Sequence, residues 1–209
     1  MVKQNSMINI GFCQGLVKGR VYLPKSTIAK LNVQVRCDRK NPKTRKREIH
    51  VLNFTVYGNE AEKLAEIADD GDVVFITYHL ESKVRVNRQN GISTITEENV
   101  ADCISVFKQD FSGRTPYLNH GFFQGRYLGV IAQPNSSGIY ILTIYAENHE
   151  TGEKVHMPFV IYGPLGKTIE EKYKKGQCIL VEYKIEKSKR IRQDNSVEHF
   201  TNRVVERIG

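Results

Sequence analysis

The stretch Leu52-Asn53-Phe54-Thr55-Val56-Tyr57-Gly58 alternates apolar and polar residues with period two, the pattern of a half-buried β-strand. Leu52, Phe54 and Val56 fall on one face, and Asn53, Thr55 and Tyr57 on the other. A Leu-Phe-Val face belongs against a core. Tyr57 then stands on a polar face, just before a glycine. A ring beside an amide and a hydroxyl is what a stacking platform for a nucleobase looks like, and equally what a tyrosine packed under a loop looks like. The sequence around it has to decide.

That stretch has a copy. Val56-Tyr57-Gly58 returns as Ile161-Tyr162-Gly163, and the strand Asp70-Gly71-Asp72-Val73 to Tyr78 returns as Lys175-Gly176-Gln177-Cys178 to Tyr183, both at an offset of 105 (residue 58 to residue 163). Thr96 and Val100 fall on Thr201 and Val205 at the same offset. Asn9-Ile10-Gly11-Phe12-Cys13-Gln14-Gly15 returns as Asn119-His120-Gly121-Phe122-Phe123-Gln124-Gly125 at an offset of 110 (residue 11 to residue 121). Matches in one order at nearly one offset mark a tandem duplication of a unit of about 100 residues, with a longer loop in the first copy. The breakers Ser112-Gly113 and Thr115-Pro116 place the join, so residues 1–109 and 119–209 are expected to be the two units and 110–118 the linker.

Each unit reads as strand, strand, strand, short helix, strand, strand. In the first, Gly11–Tyr22 is a strand, and Leu31–Arg36 is a second with Leu31, Val33 and Val35 inward and Asn32, Gln34 and Arg36 outward. Residues 59–68 carry the helix, with Asn59 as expected N-cap and Ala61, Leu64, Ala65 and Ala68 as its apolar stripe. Val74, Ile76, Tyr78 and Leu80 match Ile179, Val181, Tyr183 and Ile185, all apolar in phase, so Tyr78 and Tyr183 read as core. Lys83–Arg88 and Ile92–Ile95 flank an Asn90-Gly91 turn and form a basic hairpin arm, and Asn99–Phe107 closes the unit. The expected class is all-β with one short helix per unit: two tandem five-stranded, partly open barrels of the OB fold. That fold binds oligonucleotides on its second and third strands. Their outward faces here carry Gln34, Arg36, Asn53, Thr55 and Tyr57 in the first unit, and Thr143, Tyr145 and Tyr162 in the second.

Three segments resemble one family. The run Phe54-Thr55-Val56-Tyr57-Gly58-Asn59-Glu60-Ala61-Glu62-Lys63-Leu64-Ala65, the strand from Gly71 to Lys83, and Val100-Ala101-Asp102-Cys103-Ile104 are similar to segments of the single-stranded DNA-binding proteins of bacteria and their phages. The resemblance implies that Tyr57 and Tyr162 match the stacking aromatic that ends the family's third strand. It sets Arg85 and Arg190 near a further stacking position on the arm, where the family often has Trp, and Val51 and His156 near a third. It also implies four OB folds per working unit, hence a homodimer of this chain. The acidic, phenylalanine-ending tail that many bacterial members use for recruitment is not matched by Arg207-Ile208-Gly209.

Charge agrees with a polyanionic partner. Thirty-one Lys and Arg (31) against 23 Asp and Glu give +8, which favours nucleic acid first and an anionic membrane surface second. No apolar run approaches a membrane span and no signal-like segment opens the chain. The densest cationic run is Arg36, Arg39, Lys40, Lys43, Arg45, Lys46 and Arg47, a clamp for phosphates or a solvated loop. Its counterpart, residues 147–154, is acidic, so the two units are unequal; Lys184, Lys187, Lys189, Arg190 and Arg192 on the second arm offer compensation, as Arg85 and Arg88 do on the first. Cys13, Cys37, Cys103 and Cys178 lack C-x-x-C spacing, exclude a zinc or disulfide framework and read as small apolar residues in a reducing, cytoplasmic setting.

The six histidines lack metal-ligand spacing, and no nucleophile motif or phosphate-cradling loop occurs. Asp69-Asp70-Gly71-Asp72 reads as a turn because its copy is Lys174-Lys175-Gly176-Gln177. The expectation is therefore a non-enzymatic, cofactor-free and metal-free binder of single-stranded DNA without sequence preference, serving replication, recombination and repair. The alternatives are an RNA-binding or replication-assembly OB protein, a protein–protein scaffold, and an OB-type nuclease, for which no carboxylate–arginine constellation is found. Because Tyr162 repeats the position of Tyr57, and Phe54 and Phe159 turn inward together, Tyr57 becomes the leading base-stacking residue.

Overall fold

Alternation of apolar and polar residues runs through most of the chain, and the structure turns it into ten strands. The computed structural model describes residues 8–40, 45, 47–86, 93–108, 117–133, 138–147, 152, 154–191 and 195–209, and for 37–40, 84–86, 93–94 and 190–191 the backbone alone. The first half holds β1 (Asn9–Leu23), β2 (Ile28–Lys40), β3 (Arg47–Tyr57), α1 (Gly58–Ile67), β4 (Val73–Val86) and β5 (Ser93–Phe107). The second repeats this as β6 (Leu118–Ala132), β7 (Ile139–Glu147), β8 (Lys154–Tyr162), α2 (Leu165–Lys172), β9 (Cys178–Ile191) and β10 (Val197–Ile208). Among these residues no helix is long and apolar enough to cross a membrane.

Strand order is β2-β3-β5-β4-β1-β6-β7-β8-β10-β9, and the extra pairings β1–β2 and β6–β9 close each half on itself. The result is two tandem five-stranded barrels of the OB type, each with a short helix beneath, as the element pattern predicts. All pairings are antiparallel except β3–β5 and β8–β10, which meet at Thr55↔Val100 and Val204↔Val160. Leu31, Val33, Val35, Leu52, Phe54 and Val56 are buried in the first barrel, and Leu142, Ile144, Met157, Phe159 and Ile161 in the second. The rings of Phe54 and Phe159 meet Tyr78 and Tyr183 edge-on at 5.2 and 5.4 Å, so all four aromatics are core. Gly58 and Gly163 take φ of +61° and +75°, a left-handed turn that lets each third strand leave the sheet for its helix.

Three local expectations are corrected. The residue that precedes α1 in extended conformation is Tyr57, and no side chain caps the helix, so Asn59 lies inside it. Cys103 and Cys178 are exposed while Cys13 is buried; the Cys37 side chain lies outside the described residues. In the closing strands Val100 corresponds to Val204, not Val205, because each pairs with the third strand of its own barrel at equivalent residues. The connection between β9 and β10 is one residue shorter than that between β4 and β5, and a one-residue slip changes which face a side chain occupies. The turn at residues 69–72 is a turn: Asp72 Oδ2 accepts from the Asp69 amide at 2.8 Å, and Lys108 bridges both carboxylates at 2.7 and 2.8 Å.

The two barrels share one sheet. β1 pairs with β6 from Asn9↔Phe123 to Gln14↔Leu118, and Gly11 stands directly opposite Gly121. A Cβ on Gly11 would fall within the Tyr78 ring, and one on Gly121 within the Tyr183 ring. Beside this seam Asn9 and Asn119 act alike: Asn9 exchanges bonds with the Leu80 backbone at 2.8 and 2.9 Å, and Asn119 with that of Ile185 at 2.6 and 3.0 Å. Buried Arg203 on β10 reaches back to pair with Glu97 and to donate to Asn99 Oδ1 at 3.3 Å. On the outer face, His79 lies 2.6 Å from Asp102 and 3.0 Å from Glu81; Lys184, its counterpart, lies 3.1 Å from Glu206 and 3.4 Å from Glu186.

Gly11→Ala and Gly121→Ala are each expected to lower stability by about 1–3 kcal/mol through overpacking, read by chemical denaturation. His79 gives a second prediction. The hydrogen bond to Asp102, then that to Glu81, outweigh burial and push its pKa up to about 9. The charged form is thus favoured by folding, so its contribution is complete below the ordinary histidine pKa and fades as pH rises through about 9. Replacing His79 by Gln should cost more stability at pH 6 than at pH 10, and equal costs at both would refute the assignment.

Candidate nucleic-acid interface

The outward face of β2 and β3 is the natural place to begin, since their inward residues are consumed by the core. Asn53 lies opposite Asn32 and donates to its Oδ1 at 2.6 Å. Val51 faces Gln34, and Ile49 faces Arg36; Ile49 and Val51 are exposed although apolar. The Arg36 guanidinium lies 5.3 Å from the centre of the Tyr117 ring, a cation–π approach that holds an exposed cation over an aromatic. Arg45, in the left-handed region, and Arg47 are exposed at the start of β3. Arg39 and Lys40 lie on β2 with their side chains outside the described residues, and Lys43 and Lys46 lie outside altogether.

Tyr57 ends β3 with 37% of its surface exposed. Its hydroxyl donates to Glu98 Oε2 at 3.0 Å and accepts from Lys83 Nζ at 3.1 Å, while the same ammonium lies 5.0 Å from the ring centre. Lys83 also pairs with Glu81 at 2.6 Å, and Lys30 lies 3.4 Å from Glu98. Burial pushes the Tyr57 phenol up; the Lys83 hydrogen bond works against this and the Glu98 bond with it. Burial also works to raise the Glu98 carboxyl, but the Tyr57 hydroxyl, Lys30 and Lys83 together hold it below the ordinary range. The ring is therefore fixed by its hydroxyl, and the Lys83 ammonium, held by Glu81, lies over it.

Thr55 departs from expectation. It is 4% exposed, and Lys30 Nζ donates to its hydroxyl at 2.5 Å. The cause is barrel closure: β5 pairs with β3 at this residue and covers what would otherwise be outward surface. Thr55 supports Lys30 and offers no open surface to a ligand.

In the second barrel Tyr145 lies opposite His156, with ring centres 4.8 Å apart, and its hydroxyl donates to Glu147 at 2.7 Å. Tyr162 ends β8 exposed, as Tyr57 ends β3. Where the first arm has Lys83, the second has Ser188, which accepts from Asn202 at 2.8 Å. Lys189 is exposed on β9; Arg85 and Arg190 are described by backbone only, and Arg88 and Arg192 fall outside the described residues. His120, Glu182 and Glu206 bring possible metal-ligand atoms within 4.8 Å of one another, but Lys184 and Arg207 already lie 3.1 and 3.9 Å from the two carboxylates.

Sequence reasoning brings Tyr57, Asn53, Arg36, Arg45 and Arg47 onto one barrel, and Tyr145 with Tyr162 onto the other. It overlooks Lys30, Glu98 and Ile49. Lys30 was within reach, because period two sets it in phase with Asn32 and Gln34. Glu98 was not, since only the parallel β3–β5 closure brings it to Tyr57.

No family model matches the chain, and no curated protein sequence does either. Solved structures do. The wild-type single-stranded DNA binding protein from Thermus aquaticus matches at a TM-score of 0.70 and 15% identity, over 97% of this chain and 92% of that one. A deletion variant of the same protein matches at 0.70 and 17% identity, over 97% and 94%. At such identities the likeness is one of fold, and it extends over both barrels.

Proposed function

We propose that this chain binds single-stranded DNA without strong sequence preference, as a non-enzymatic member of the single-stranded DNA-binding proteins. The observation that supports this is the repeated exposed tyrosine, Tyr57 and Tyr162, at the end of each barrel's third strand, with Arg36, Arg45 and Arg47 exposed on the first barrel. Bases stack on Tyr57, on Tyr162 and on Tyr145 with His156 at its side. Asn53 supplies an amide, and Arg36, Arg39, Lys40, Lys43, Arg45, Lys46 and Arg47 follow the phosphates. Arg85 and Arg88 extend the cationic path on the first arm, and Lys189, Arg190 and Arg192 on the second. Ile49 and Val51 add apolar surface to the same face. Such stacking tolerates any base, because every base has a π-face.

The units are assigned to residues 1–109 and 119–209, joined by 110–118, with a role in replication, recombination and repair in the cytoplasm. Two chains assemble, giving four OB folds. The outer face of β4, β1 and β6 supports this with Phe12 and Phe75 in ring contact at 6.3 Å and exposed Ile10 and Leu118 alongside. Solution molar mass should be twice that of one chain.

Titration with oligo-dT across a salt series tests the main reading. Tyr57→Ala should weaken binding by about 1–3 kcal/mol at every salt concentration, roughly five- to 150-fold. Neutralising Arg45 and Arg47 should instead reduce the slope of log affinity against log salt by about 1.4, near 0.7 for each phosphate contact. Absence of salt-dependent binding would favour a protein-binding scaffold, and tighter binding to a matched RNA would move the substrate to RNA.

A further inference from the structure

At its described base each hairpin arm also bonds to the opposite barrel. The backbone amide of Lys187, on β9, donates to His50 Nδ1 of β3 at 3.2 Å. Reciprocally, the amide of His156, on β8, donates to Ser82 Oγ of β4 at 3.1 Å. Ser82 and Lys187 are equivalent residues of the two arms, so each arm crosses the seam to meet the third strand of the other barrel.

The crossing separates charge. Where the second arm meets the first barrel, Arg36, Arg45, Arg47 and Lys189 are exposed, with His199 across from Lys189. The carboxylates there are Glu48, 3.7 Å from His50; Glu186, 3.4 Å from Lys184; and Glu198, opposite Arg190 in the ladder. Lys187 is half-buried and donates to Thr201 Oγ1 at 2.7 Å; among the described residues no carboxylate lies within ion-pair distance of it. Burial lowers its pKa, as expected for an ammonium that has given up water without gaining a counter-charge. Along the first arm and at the start of β8 the described cations are instead paired. Lys83 is engaged by Glu81 and Glu98, Lys154 lies 3.9 Å from Glu147, and Glu97 is held by Arg203.

We infer that the phosphate track of the first barrel is completed by the second half of the chain: a single strand stacked on Tyr57 runs along β3 and passes onto Lys187 and Lys189 of the opposite arm. The distance suits this, since His50 lies seven residues from Tyr57, about 23 Å of strand. A phosphate arriving at Lys187 supplies the counter-charge that this half-buried ammonium lacks. The inference rests on the nucleic-acid reading above.

The test uses the full chain and an oligo-dT of about 10 nucleotides, within the range covered by one OB fold. Lys187→Gln with Lys189→Gln is measured alone, with Tyr162→Ala and with Tyr57→Ala. The salt slope should fall by about 1.4 in the unaltered and Tyr162→Ala proteins and by clearly less with Tyr57→Ala. Lys189→Gln alone, at an exposed residue, should give half of that fall and guards against misfolding of the double variant. The reverse pattern, equal losses in both backgrounds, or no loss would each overturn the composite track while leaving the nucleic-acid reading intact. No salt-dependent binding by the unaltered protein would overturn both.

Discussion

Gly11 facing Gly121 across the β1–β6 ladder is the constraint on which the remaining architecture depends. Two strands can pair closely beneath two bulky phenol rings only if neither contributes a side chain there, and Tyr78 and Tyr183 occupy that room. The rings in turn support Phe54 and Phe159, which set the inward phase of β3 and β8. With that phase set, Tyr57 and Tyr162 must face outward. The seam between the barrels and the exposure of the two tyrosines are thus one packing solution, expressed twice.

The seam also decides which surfaces meet. With β1 and β6 paired, the described bases of the β4–β5 and β9–β10 arms meet across the junction. Arg203 welds them by reaching Glu97 and Asn99 from the opposite barrel. Arg203 is 3% exposed, and a buried charge of this kind is tolerated only with its partners in place. Removing one partner would leave the other charge buried and uncompensated.

Much of this was legible in the residues. Period two assigned Leu52, Phe54 and Val56 to the core and Tyr57 to the surface, and the repeat at 105 set Tyr78 and Tyr183 in the core. What stayed hidden depends on closure. Thr55 obeys the alternation of its strand, but β5 covers it, and no local pattern encodes a parallel neighbour 45 residues away (residue 55 to residue 100). The crossed arms rest on His50 with Lys187 and Ser82 with His156, contacts between backbone amides and side chains that leave no periodic trace. The slip of one residue in the closing strand came from a shorter connection that a constant offset conceals.

The divergence between the barrels is ordered, because equivalent residues change in pairs. Lys83 and Glu98, oppositely charged and 3.8 Å apart beside Tyr57, become Ser188 and Asn202, a neutral pair joined at 2.8 Å. Lys30, which leans on Thr55 and Glu98, becomes Ile141 opposite Val160. By contrast, the charged cluster of His79 with Glu81 and Asp102 is kept in sign as Lys184 with Glu186 and Glu206, with a permanent cation in place of a titratable one. Residues that hold the sheet face together keep their charge. Those around the exposed tyrosine alter together, since changing one member of a half-buried ion pair alone would leave the other uncompensated. The surroundings of Tyr57 and Tyr162 have therefore moved apart in electrostatics while their backbone geometry has stayed the same, as two surfaces with different loads on one scaffold would require.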